Sequence, residues 1–264
     1  MVNLVREALL ERRVTFGTWI QLGHPGIAEI LADIGFEWIA ADCEHTDIST
    51  EGFMSLARGM YGRGPLPLAR VRENDTLAIR QILDAGAQGV IVPLVNTAED
   101  AARAVYAAKY PPEGIRGFAF CRANNWGSDF NSYVQEANNN TAVVVMVESK
   151  EAVENIKSIL AVEGVDGVFI GPYDLSGSFG VTGQTSHPVI LDAMRKVAEA
   201  CKVRRKSAGI HIVKPNKDNI RLAVEDGFTF IALGMDTVFL DEAARNILET
   251  AHKGCLEHNE RNYR

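Results

Sequence analysis

AVVVMVESKEAVENIKSILAVEGVDGVFIGPYD, Ala142 to Asp174, decides the fold. It opens on an unbroken apolar run, Ala142–Val147, too short for a buried helix and rich in β-branched residues. A helical pattern follows over Lys150–Leu160. A second apolar run, Val165–Ile170, closes it. A strand that is apolar at every position is buried on both faces, which is the mark of a parallel sheet covered by helices. Each strand here also ends on an acidic residue, Glu148 after the first and Asp174 after the second.

The same unit repeats outward in both directions. Upstream, strands are expected at Val14–Ile20, Phe36–Ala41, Leu66–Val71 and Gly89–Val95, with helices at Ile27–Ile34, Thr50–Met60, Thr76–Ala85 and Ala98–Ala108. Downstream, a helix at Pro188–Val203 leads to strands at Ala208–Val213 and Phe228–Leu233, each with its own helix, Asn216–Glu225 and Thr237–Ala251. Eight βα units in 264 residues predict an α/β fold, a closed (β/α)8 TIM barrel, as one domain over residues 1–264. An open doubly wound sheet is the alternative, but no strand runs into a GxGxxG or GxxxxGK[ST] loop. The longest interruption is Tyr110–Ala137, rich in Pro, Gly and Asn, and a connection of that length is expected to be functional or mobile.

Composition narrows the function classes. A net charge of -7 argues against nucleic acid as a partner, because phosphate neutralisation needs clustered Lys and Arg. The basic run Lys202–Lys206 reads as a solvated helix end. Cys43, Cys121, Cys201 and Cys255 form no CxxC pair, which fits a reducing compartment. The first residues lack a signal-peptide pattern, and no apolar stretch is long enough for a membrane span. These features predict a cytoplasmic protein with a small-molecule substrate.

Barrel enzymes carry their chemistry at the C-terminal ends of the strands. Those ends present Trp19 and Gln21, then Asp42, Glu44 and His45, then Arg70, then Glu148, Asp174 and His211. Glu148 and Asp174 each have a plainer reading as a helix cap, and His45 a plainer reading as a loop residue. Together they describe a site. Two hard carboxylates suit Mg²⁺ or Mn²⁺. Arg70 is a permanent cation suited to a developing oxyanion, and His45 can exchange a proton near neutral pH. Asp84 and Asp42 are both candidates for the carboxylate that orients His45. His24, His187, His252 and His258 read as turn, surface or packing residues.

The blocks D-x-E-H at Asp42–His45, Y-P-P-x-G-x-R-G at Tyr110–Gly117 and V-E-G-x-D-G-V-F-I-G-P-x-D-L at Val162–Leu175 resemble the HpcH/HpaI family of metal-dependent, pyruvate-specific class II aldolases. The resemblance spans roughly Phe16 to Leu240. It implies reversible cleavage of a 4-hydroxy-2-oxo acid to pyruvate and an aldehyde, with a divalent metal (Mg²⁺, Mn²⁺ or Co²⁺) and no organic cofactor. It assigns Glu148 and Asp174 to the metal, Arg70 to the enolate oxygen and a dyad to His45 and Asp84. Trp19 lines the implied pocket, and the backbone at Tyr173 and Asp174 binds the pyruvate carboxylate. It also implies a homo-oligomer, a hexamer built as a trimer of dimers, with the last helix exchanged between subunits. Two positions depart from the family pattern: Met146 stands where many relatives have Gln, and Tyr173 where they have a small residue. Both bear on the aldehyde half of the site, which Phe118–Phe130, with Arg122, Asn124 and Asn125, is expected to border. Three other readings stay open. One is a Schiff-base aldolase using Lys214, one a non-catalytic barrel that binds a keto acid, and one an oxaloacetate decarboxylase-type lyase.

Overall fold

The computed structural model describes residues 3–262, with side chains up to residue 254. Cys255 and the side chain of His258 lie outside that range. Eight parallel strands close into a barrel in sequence order, the last pairing with the first. They are β1 (Thr15–Ile20), β2 (Trp38–Asp42), β3 (Leu66–Arg70), β4 (Gly89–Val92), β5 (Ala142–Val147), β6 (Gly167–Ile170), β7 (Ser207–Ile212) and β8 (Phe230–Met235). Around them run α1 (Leu4–Glu11), α2 (Pro25–Ile34), α3 (Thr50–Met60), α4 (Thr76–Asp84), α5 (Ala98–Ala108), α6 (Phe130–Asn140), α7 (Lys150–Glu154), α8 (Ile156–Ile159), α9 (Pro172–Ser178), α10 (Pro188–Arg204), α11 (Lys217–Glu225) and α12 (Asp236–Asn262). The eight expected strands are all present. The helix expected over Lys150–Leu160 is divided at Asn155, whose backbone (φ -88°, ψ 4°) leaves helical geometry and whose side-chain amide donates to the Asn96 carbonyl.

Alternation along each strand sorts its side chains into two cores. The outer core fills the layer between barrel and helices with residues such as Ile39, Val90, Val143, Val145, Val168 and Ile231. The inner core fills the lumen with Trp19, Trp38, Leu68, Val144, Met146, Phe169 and Phe230. Large rings fit there because small residues face them. A Cβ added to Gly17 would lie 2.0 Å from the Trp38 ring, which stacks on Phe230 with centroids 4.1 Å apart. Helix α1, which the strand pattern did not anticipate, plugs the floor. Val5 and Leu9 enter the inner core, Ser207 Oγ donates to the Leu9 carbonyl at 2.8 Å, and the Asn3 amide donates to the carbonyls of Gln88 and Asn140. The mouth lies at the opposite end, at the C-terminal strand ends.

The excursion after α5 belongs to the floor. Every helix of the barrel runs back against its strand, so the chain between α5 and β5 leaves and re-enters at the N-terminal end. There Tyr110 stacks on Phe118 at 4.9 Å, and the buried Arg116 guanidinium lies 4.6 Å from the Tyr110 ring and 5.6 Å from the Tyr133 ring. Lys109 is buried below them, donating to the carbonyls of Asn138 and Thr141. Burial pushes its pKa down to about 8.

Candidate active site

Arg70 is held at the mouth by paired hydrogen bonds. Parallel register sets it directly beside Asp42 on the neighbouring strand. Asp42 is buried and grips the guanidinium with both oxygens, Nε to Oδ1 at 3.0 Å and Nη2 to Oδ2 at 2.7 Å. This two-point fork fixes the plane of the guanidinium as well as its position. Asp42 Oδ1 also accepts the backbone N–H groups of Glu44 and His45, and Oδ2 accepts from the Gln21 amide. Burial opposes the Asp42 charge, but the hydrogen bonds and charge of Arg70 override it and hold the carboxyl below its ordinary range. The third nitrogen, Nη1, is turned toward the mouth. It stands 3.2 Å from Glu44 Oε2 without hydrogen-bond alignment and 4.0 Å from the Met146 sulfur. The face of the guanidinium lies 5.2 Å from the Trp19 ring.

Glu148 follows the last residue of β5 and is 7% exposed. It does not cap the following helix; Ser149 does, accepting from the Ala152 N–H. Glu148 Oε1 instead accepts the Leu94 N–H at 2.7 Å, and Oε2 has no hydrogen-bond partner among the described residues. Burial raises the Glu148 pKa, and the charge of Asp174 raises it further against the pull of Leu94 and Arg70. Asp174 lies in the exposed first turn of α9, whose N-cap is Gly171, so it is free of a capping role. The Asp174 carboxylate is therefore close enough to Glu148 for its charge to act on it. Glu44 is part of the same acidic rim: burial raises its pKa, Arg70 and His45 lower it, and Glu148 and Asp42 raise it.

His45 sits at the lip with its side chain 60% exposed and Nε2 3.6 Å from Glu44 Oε2. Asp42 bonds its backbone, not its ring. Asp84 is not near it in the same chain. Asp84 ends α4 at the floor, where its Oδ1 accepts from Arg116 Nη2 at 2.8 Å. Two expectations thus need correcting. The His45–Asp84 pair cannot form within one chain, because the two residues close opposite ends of one barrel. Phe118–Phe130 does not border this chain's own mouth: Arg122 bonds the carbonyls of Ala57 and Ala85, and Asn124 is buried and ties the turn at Cys121 and Gly127. Sequence reasoning set Asp42, Glu44 and Arg70 at the strand ends but missed that Asp42 locks Arg70 and gave Glu44 no role. The signal was available, since Asp42 and Arg70 both terminate adjacent strands on the lumen-facing parity.

His24 and His187 are helix N-caps, accepting from Gly26 and Val189. Lys214 is 75% exposed and paired with Glu242 at 3.0 Å, which is the opposite of the desolvated setting a Schiff-base lysine needs.

Comparison with known proteins decides the lineage of this mouth. The family model described as HpcH/HpaI aldolase/citrate lyase matches residues 15–243. The chain belongs to the HpcH/HpaI aldolase/citrate lyase family. It is 38% identical over 246 residues to a 4-hydroxy-2-oxo-heptane-1,7-dioate aldolase of Shigella sonnei, covering 92% of this chain and 93% of that one. It is 34% identical over 253 residues to a 5-keto-4-deoxy-D-glucarate aldolase of the same organism, covering 95% and 97%. The crystal structure of an HpcH/HpaI aldolase/citrate lyase family protein from Burkholderia cenocepacia J2315 superposes with a TM-score of 0.91 at 32% identity, covering 95% of this chain and all of that one. The HpcH/HpaI match runs from the first strand into the last helix, so it takes in every residue of the mouth described above.

Proposed function

We propose that this protein reversibly cleaves a 4-hydroxy-2-oxo acid to pyruvate and an aldehyde, as a carbon–carbon lyase of the class II aldolase type. The observation that carries the reading is Arg70, locked by Asp42 with its third nitrogen turned toward the mouth and its charge acting on Glu148.

Glu148 and Asp174 fit a divalent cation. Glu148 is buried beside the charge of the exposed Asp174 and has a free oxygen, and a hard cation there offsets both the burial and the neighbouring negative charge. Among the described residues no cluster of three His, Cys, Asp or Glu suits a metal. Two hard oxygen donors with open positions suit Mg²⁺ or Mn²⁺, with Co²⁺ tolerated, since these ions complete their shell with water and substrate oxygens. Such an ion, when bound, supplies Lewis-acid polarisation of the 2-oxo group.

The chain's own residues do the rest. The backbone N–H groups of Tyr173 and Asp174 receive the substrate carboxylate. Trp19 walls the pocket. Arg70 donates to the 2-oxo oxygen as it gains negative charge, and because Asp42 already holds the guanidinium in place, no reorganisation is needed at that moment. His45 takes the proton of the 4-hydroxyl in cleavage and returns it to the aldehyde oxygen in condensation, and Glu44 beside it steadies the imidazolium. A positioned base of this kind contributes about 10²–10⁴ in rate. Asp84 can orient His45 only from a second copy of the chain. That requirement agrees with a hexamer in which α12 crosses to a neighbour: α12 leaves Leu240, Ile247 and Leu248 exposed, and the floor leaves Phe118, Phe120 and Trp126 exposed. Such surface is characteristic of an interface. The chain acts as one domain over residues 1–264. We place it in the cytoplasm, in keeping with the free thiols of Cys43, Cys121 and Cys201. No helix among the described residues is long and apolar enough to cross a membrane.

Thorough chelation should abolish cleavage, and Mg²⁺, Mn²⁺ or Co²⁺ should restore it. Activity that survives chelation, or a pyruvate adduct trapped on Lys214 by borohydride, would discard this mechanism.

A further inference from the structure

His211 has no part in the chemistry above, yet it stands in the same bowl. Its position follows from strand parity. On β7, Ser207 bonds the helix that plugs the floor, and a Cβ on Gly209 would lie 2.6 Å from the lumen-facing Phe169 ring. Ala208 and Ile210 belong to the outer core. Residues 207 and 209 thus face the lumen, and so does 211, one layer higher. Its ring lies 6.2 Å from that of Trp19, the ring that also meets the Arg70 guanidinium.

Hydrogen bonding decides which nitrogen is available. Nε2 is 3.0 Å from the Gly234 carbonyl. A carbonyl only accepts, so Nε2 carries the hydrogen. Burial pushes the imidazole pKa down to about 4, so the ring is neutral near pH 7 and Nδ1 is a bare acceptor. Among the described residues Nδ1 has no hydrogen-bond partner, and it is not sealed from solvent. An acceptor fixed in this way favours a ligand that brings an O–H and gains nothing from a methylene or a carboxylate.

We propose that His211 is a specificity-determining residue whose Nδ1 accepts a hydrogen bond from a hydroxyl on the aldehyde half of the substrate. Hydroxylated aldehydes, and hence polyhydroxylated 2-oxo acids of sugar-acid type, are the substrate class this selects over deoxy chains. The inference rests on the aldolase reading and supplies the acceptor half that reading leaves open. His211 is not a base here, because its N–H is committed to Gly234 and its lone pair binds rather than removes the proton.

The test is condensation of pyruvate with matched aldehydes, glycolaldehyde against acetaldehyde and D-glyceraldehyde against propanal, scored as kcat/KM with Mg²⁺ present. The hydroxylated member should be favoured, and His211→Leu should lower that ratio about tenfold, the worth of one neutral hydrogen bond. A wild-type ratio near one, or a ratio unchanged by the substitution, overturns the proposal. His211→Met gives a second apolar replacement should the leucine variant misfold. Nitrogen-15 NMR of the wild-type imidazole is independent of any variant: a neutral Nε2–H tautomer at pH 7 is expected, and an Nδ1–H tautomer overturns the assignment. Failure of the underlying reading looks different. It would show as no aldol product from any aldehyde and no decarboxylation of oxaloacetate, and it would take the His211 assignment with it.

Discussion

The Asp42–Arg70 fork is the residue-level hinge of the site. Asp42→Asn keeps the shape but removes the charge that holds Nε and Nη2, so Arg70 gains freedom and the oxyanion loses a preset donor. We expect kcat/KM for cleavage to fall about 10- to 100-fold, mainly in kcat, as measured by coupled pyruvate assay. Because the folded state holds Asp42 below its ordinary range, its contribution to stability is present at neutral pH. It is lost as pH falls through the lowered value. Glu148 behaves in the opposite sense. Its raised pKa makes it gain a proton before ordinary carboxylates do, so Mn²⁺ affinity measured by calorimetry should drop early on acidification. Glu148→Gln should abolish that binding even where the protein remains folded. His211 adds a third residue-level effect. Its pKa falls from 6.5 to about 4 on folding, so the unfolded chain binds more protons between those values and stability declines as pH drops from 6.5 toward 4. The contribution is of the order of 3 kcal/mol. His211→Leu should flatten that part of the pH–Tm curve.

At the scale of elements, the barrel depends on matching large rings with missing side chains. Gly17 on β1 makes room for Trp38 on β2, and Gly209 on β7 for Phe169 on β6. Gly17→Ala would press a methyl into a fully buried indole that is stacked on Phe230 and cannot yield. We expect a loss of about 1–3 kcal/mol in urea unfolding, the usual cost of overpacking a filled core. The strands themselves were readable from sequence because burial on both faces makes every position apolar. The break between α7 and α8 was not, because no glycine or proline marks it in Lys150–Leu160. Nor was α1 as a plug, since an amphipathic N-terminal helix looks the same whether it covers a sheet or closes a barrel floor.

At the scale of the whole molecule, the exposed apolar residues of α12 and of the floor fit an assembly of several copies. Size-exclusion chromatography with light scattering should give a hexamer. Replacing Ile247 and Leu248 together by Glu should shift it to smaller species. If Asp84 reaches a neighbour's His45, the same change should lower aldol cleavage well below the wild-type rate without loss of helix content.

By itself the sequence determined the closed eight-unit barrel, the strand ends that carry Arg70, Glu148 and Asp174, and the family. These follow from local patterns: apolar runs, helical periodicity and short blocks such as D-x-E-H. Only the tertiary structure decided what each polar group touches. Asp42 belongs to Arg70 because parallel register makes them neighbours across two strands, and Asp84 belongs to Arg116 because helices return to the floor. The sequence set His211 at a strand end, but its free Nδ1 follows only from the Nε2 bond to the Gly234 carbonyl. Partnership is set by chain segments far apart in sequence meeting in space, and no local pattern records which two will meet.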